Sequence, residues 1–171
     1  MALIANKLME TTVDLMIARL QANMKDALEI ESAYRDDKVS LGEPKSYFIA
    51  EKSLAFQAPA VFVIGDGTDF RLTKGSNFIN ALQRVHVAVV VENRNEELLT
   101  RQAYRYQAVL HQILAQEPIL SPDGKVKLVV KIERAEYGAI YTNAGVANEP
   151  GGMFRKEIWL DCAVEHYERL G

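Results

Sequence analysis

The sequence predicts an α+β fold: a small, mainly antiparallel sheet with helices packed on one face and a long hairpin loop between the last two strands. Three observations predict it. Residues 125–134 and 154–167 alternate apolar and polar side chains, the pattern of antiparallel strands with one buried face. Residues 3–30 and 96–116 instead repeat apolar side chains every three to four positions, as amphipathic helices do. Ala60–Ile64 and Val85–Glu92 are short, almost continuous apolar runs, as in buried strands.

In the first helix Ile4, Leu8, Leu15, Leu20, Met24 and Leu28 form the apolar stripe, and Met9, Met16 and Ile17 widen it. A stripe that broad needs a cover, either the sheet or another subunit. From Ala33 to Pro59 periodicity is lost, and Asp36-Asp37-Lys38 and Gly42-Glu43-Pro44 read as loop, with a short helix near 49–56. Ala60–Ile64 reads as a strand stopped by a Gly65-Asp66-Gly67 turn, and Asp69–Asn80 as a polar loop or a loosely paired segment. Val85–Glu92 is apolar on both faces and is expected to be a central strand.

The helix over 96–116 carries the clearest punctuation. Asn93 or Asn95 offers an N-cap, Glu96 and Glu97 suit the positive helix end, and Pro118 stops it. Ser121-Pro122-Asp123-Gly124 suits a type I turn. In the first closing strand Val126, Leu128, Val130 and Ile132 face inward. In the second, Phe154, Ile158, Leu160, Cys162 and Val164 face inward, while Arg155, Glu157, Asp161 and Glu165 face out. The loop joining them, Tyr137–Met153, holds Tyr137, Ile140, Tyr141, Val146 and Met153 and is too apolar for a plain solvated linker. It reads as an arm that orders on a partner, or as a loop packed on its own subunit.

Length and charge narrow the function. At 171 residues and 19.2 kDa, residues 1–171 fit a single domain. A formal net charge of -3 argues against a general nucleic-acid binder, which carries a basic excess. Cys162 is the sole cysteine, the start Met1–Lys7 lacks a signal-peptide pattern, and no apolar stretch approaches the roughly 18 residues of a membrane span. The expectation is a protein folded in a reducing cytoplasm.

Motifs for chemistry are sparse. His86, His111 and His166 show no metal-ligand spacing, and they read as hydrogen-bonded or partly exposed side chains. Gly65–Asp69 has aspartates beside glycines that suit a cation or an anion. It matches no nucleotide or calcium motif, and a turn after a strand is the simpler reading. Cys162 falls on an apolar strand face, the setting of a buried small hydrophobe. Arg84, Arg94, Arg101 and Arg105 cluster around the second helix. They make either a solvated face with a Glu97–Arg101 pair or a contact with an acidic neighbour, for which Arg101 and Arg105 are the candidates. Glu157, Asp161 and Glu165 form an acidic stripe, either solvated or lining a channel that repels DNA. No catalytic residue, cofactor or metal site is expected, and the chain reads as a non-enzymatic protein that assembles with copies of itself.

Arg84-Val85-His86-Val87-Ala88-Val89-Val90-Val91-Glu92 running into Glu96-Glu97-Leu98-Leu99, with a helix before and two long strands after, resembles the tail terminator proteins of long-tailed bacteriophages and their head–tail joining relatives. The likeness spans most of the chain from about residue 60. It implies a ring, usually a hexamer, on the end of the tail tube. That ring stops tube polymerisation and offers a surface to the head, while DNA passes through the lumen without specific binding. Its partners are the chain itself, the tube protein and a head-completion protein of the neck. Its place is the virion, after assembly in the host cytoplasm. By position, Tyr137–Met153 and Ala33–Pro59 would be the contact elements. A head-completion or adaptor protein of the neck is the near alternative. A host small-molecule-binding domain or enzyme using Gly65–Asp69 is the distant one.

Overall fold

A computed structural model describes residues 7–49, 56–71, 77–142 and 153–171. In chain order the elements are α1 (Leu8–Tyr34), β1 (Ser46–Phe48), β2 (Ala60–Arg71), β3 (Phe78–Asn93), α2 (Glu96–Ala115), β4 (Ile119–Leu120), β5 (Val126–Tyr137), β6 (Tyr141–Thr142) and β7 (Phe154–Arg169). They form one sheet in the order β1-β2-β3-β7-β5-β4, with β6 also paired to β7. Only β1 and β2 run parallel; every other pairing is antiparallel. The fold is therefore the expected α+β class, with both helices on one face.

β3 and β7 form the centre of the sheet, paired along their whole length from Phe78↔Arg169 to Asn93↔Phe154. Their odd-numbered and even-numbered valines explain the position. Val85, Val87, Val89 and Val91 meet the helices, while Ala88 and Val90 are buried on the other face. From β7, Ile158, Leu160, Cys162 and Val164 join the helix-side core, and β5 adds Val126, Leu128 and Val130. α1 supplies Val13, Met16, Leu20, Met24, Ala27 and Leu28, and α2 supplies Leu99, Ala103, Tyr106, Val109, Leu110, Ile113 and Leu114. Burial pushes the Cys162 thiol up to about 12, so it packs as an apolar group.

Local chemistry sets the ends of α2. Asn95 caps it by accepting the Leu98 N–H at 2.9 Å, and Pro118 follows its last turn. The Ser121–Gly124 turn closes with Gly124 N–H donating to Ser121 C=O at 2.9 Å, and Gly124 takes φ +68°, where glycine is unstrained.

Three expectations are corrected. Gly65-Asp66-Gly67 does not stop β2: the strand runs on to Arg71 through a bulge between Gly65 and Gly67. Gly65 lies against the start of α1, where a Cβ would come 2.6 Å from Met9 Cγ and Sδ and the methionine side chain would have to shift. β3 begins at Phe78, so the end of the polar stretch is strand. Arg155 is buried, held by Glu92 at 2.6 Å and lying 4.6 Å over the Phe56 ring, where it forms part of the cover of the far sheet face. Lys156 is buried too, its ammonium donating to Gly138 C=O at 2.5 Å. Most of the helix expected near 49–56 lies outside the described residues.

The stretch after α1 is clamped by α2. Arg105 is 4% exposed and grips both oxygens of Asp37, Gln102 Nε2 donates to Ser40 C=O at 2.8 Å, and the Tyr106 hydroxyl donates to Gly42 C=O. The Arg105 guanidinium, seconded by the Val39 N–H, holds the Asp37 carboxyl down at about 2. Desolvation pushes the Tyr106 hydroxyl above its ordinary value.

Candidate assembly surface

The sheet face opposite the helices has two parts. At the β1 end, Phe48 stacks on Phe62 with ring centroids 5.0 Å apart, and Phe56 meets Phe62 edge-on at 5.3 Å. These rings, with Ala60, Ala88, Val90, Ile64 and Trp159, make a small second apolar cluster. The rest of this face is polar and is crossed by ion pairs.

Each long strand brings mostly one sign of charge to that polar part. β2 contributes Asp66 and Asp69, β3 Arg84 and His86, β7 Glu157, Asp161 and Glu165, and β5 Lys127, Lys131 and Arg134. Arg71 ends β2, and Glu133 in the β5 bulge and Glu136 near the end of β5 go against that trend. Neighbouring strands therefore pair across the sheet, as opposite charges favour. His86 sits 2.7 Å from Asp161 through Nδ1 and 3.3 Å from Asp66 through Nε2. Arg84 lies 3.9 Å from Asp69, and Arg71 reaches Glu165 at 3.3 Å. The Tyr167 hydroxyl donates to Glu165, which with Arg71 holds that carboxyl below its ordinary range.

The acidic stripe predicted on β7 is thus threaded between basic neighbours and does not form a face of one sign. Likewise Gly65–Asp69 is not a ligand-cradling turn but part of an edge strand. Among the described residues no group of three metal-ligating side chains is placed to hold an ion.

The residues proposed for partner contact fall in different settings. Tyr137 is 48% exposed at the end of β5, its ring edge-on to Tyr104 of α2 at 5.0 Å. Ile140 packs against the core, and the Tyr141 hydroxyl on β6 donates to Glu157 at 3.1 Å. Met153 is half-buried just before β7. Val146 lies outside the described residues. Arg101 is exposed and binds Glu97 at 2.8 Å on its own helix, the i,i+4 pair expected from spacing. Arg105 is turned inward to Asp37, so the solvated face expected to carry it ends at Arg101.

A buried polar cluster was missed by the sequence reading. The Thr12 hydroxyl bonds Gln83 Oε1 and lies 2.8 Å from His166 Nδ1, while His166 Nε2 lies 3.0 Å from Glu168. Glu168 accepts the Lys7 backbone N–H at 2.9 Å, a carboxylate at the positive end of α1. All four residues are 3% exposed or less. The available signal was parity: His166 and Glu168 continue the inward register of Ile158 to Val164.

Comparison with known proteins finds a likeness among solved structures. A solved structure described as the virion of a native gene transfer agent (GTA) particle contains a chain similar to this one at TM-score 0.39 and 15% sequence identity, over 71% of this chain and 79% of that one. No protein-family model matches this chain. No curated protein sequence matches it.

Proposed function

We propose that this chain is a structural virion protein of a long-tailed bacteriophage or prophage, acting without catalysis as a tail terminator. In this reading copies assemble as a ring, a hexamer, on the end of the tail tube. The ring ends tube polymerisation and presents the surface that joins the head through a head-completion protein. DNA passes through the lumen without specific binding, and the protein resides at the tail and neck after assembly in the host cytoplasm.

The observation that carries the reading is the one-sided layering of helices on the sheet. A central strand, β3, feeds straight into α2, both helices cover one face, and the far face is left to side chains paired strand to strand. The surfaces left for other chains are a broad sheet face and its edges, which suits docking of subunits side by side.

Purified tube protein polymerising in the presence of this chain tests it. Tubes that stop short, with the tagged chain at one end in electron micrographs, are expected. Tubes that lengthen freely and carry no chain at either end overturn the reading.

A further inference from the structure

We propose that β2 of one copy pairs antiparallel with β5 of the next, so that the sheet continues from subunit to subunit with Asp69 opposite Lys131. The inference rests on the ring reading above and specifies its subunit contact.

Among the described residues both edges are open beyond short end strands. β1 covers only Ala60–Phe62 of β2, and β4 covers only Lys127 and Leu128 of β5. Ser121 bonds both the N–H and the C=O of Val126, so alternation along β5 turns the backbone groups of Val130 and Ile132 to the outer edge, beyond the last residue of β4. Free edges of this kind are templates for another strand.

Direction and charge select which edge meets which. The four long strands, β2, β3, β7 and β5, alternate in direction, so the outer two are antiparallel to each other. A ring rotation about an axis roughly along the strands preserves those directions, and β5 then meets β2 antiparallel. Charge follows the same rhythm, acidic, basic, acidic and basic from β2 to β5. Joining β5 to the next β2 continues it, whereas pairing β2 with β2 or β5 with β5 sets like charges side by side. The contact is heterologous, the type that closes rings.

Register follows from the bulges, at Gly65/Gly67 on β2 and Ile132/Arg134 on β5, which confine regular pairing to 68–71 against 129–132. With Asp69 opposite Lys131, Thr68 faces Ile132 and Phe70 faces Val130 on the helix side. Phe70, 65% exposed in the single chain, gains an apolar neighbour. Among the described residues Asp69 has only a long pair to Arg84, and Lys131 makes no ion pair. A junction this short gives weak association that depends on concentration and salt.

Sedimentation across a concentration series at low salt, on Asp69→Lys, on Lys131→Asp and on their mixture, tests the pairing. The wild-type chain should self-associate, and each variant should associate about tenfold more weakly or worse with unchanged melting. The mixture should recover, because each reversed edge then meets a reversed partner. Carbodiimide should link Asp69 to Lys131 between wild-type copies. Association that survives both reversals, or a mixture that does not recover, overturns the pairing. So does a wild-type chain that is monomeric at millimolar concentration and yields no such link. The ring reading is decided separately by tube capping, so a capping protein with no Asp69–Lys131 link fails the edge alone.

Discussion

At the scale of single residues, the most consequential pair is Asp37 with Arg105, because it ties the stretch after α1 to α2. Arg105 is almost wholly buried, and a buried guanidinium without its carboxylate loses its principal partner. Asp37 is held at about 2 in the folded chain, below the ordinary 3.8, so its contribution to stability is fully present above about pH 4 and is lost as pH falls through about 2. The difference in urea midpoint between wild type and Asp37→Asn should therefore be constant from neutral pH to about pH 4 and shrink below it. A difference that stays constant down to pH 2 would show that the ion pair is not its source. Sequence offered Asp37 only as a loop residue, and Arg105 as a solvated charge or a contact for an acidic neighbour. Pairing across 68 positions leaves no local trace.

At the scale of elements, the strongly periodic segments were legible and the short ones were not. α1, α2, β3, β5 and β7 were each visible from alternation or from apolar spacing, and the inner face of β7 had the expected members in Ile158, Leu160, Cys162 and Val164. β1, β4 and β6 have two or three residues each, too few to show a period. β2 was cut short because glycine and aspartate signal a turn, yet an outer strand beside α1 tolerates both. Two variants probe this level. Asn95→Ala removes the side-chain acceptor for Leu98 N–H and should cost about 1 kcal/mol in chemical denaturation, as lost caps do. Leu160 is fully buried between the helices and the centre of the sheet, so Leu160→Asp puts an unpaired charge in the core and should abolish the cooperative melt. A soluble, cooperatively melting Leu160→Asp chain would mean that β7 presents its other face to the helices.

At the scale of the whole molecule, the loop between β6 and β7 and the sheet edges are the surfaces proposed to reach other chains. Ile140 packs on the core and Tyr141–Thr142 pair with β7, so those residues belong to the folded body. Removing 143–150 should therefore leave the circular dichroism and melting temperature close to wild type while abolishing attachment to tail tubes in a pull-down. Undiminished attachment would remove the arm from the contact and leave the sheet edges as the remaining candidates. Of the candidate surface itself, sequence supplied the charged residues strand by strand. It did not show their alternation, because β7 lies between β3 and β5 in the sheet although it comes last in the chain.

Sequence by itself determined the fold class, both helices, the central strand and the inward residues of the two closing strands. These rest on periodicity, which repeats every few residues and so is written locally. Only the tertiary structure decided the strand order, the free edges of β2 and β5, the inward turn of Arg105 and Arg155, and the buried cluster of Thr12, Gln83, His166 and Glu168. Each depends on which distant segments meet. That is settled by burial of the common apolar core, and the polar side chains are then paired with whatever neighbour the packing brings.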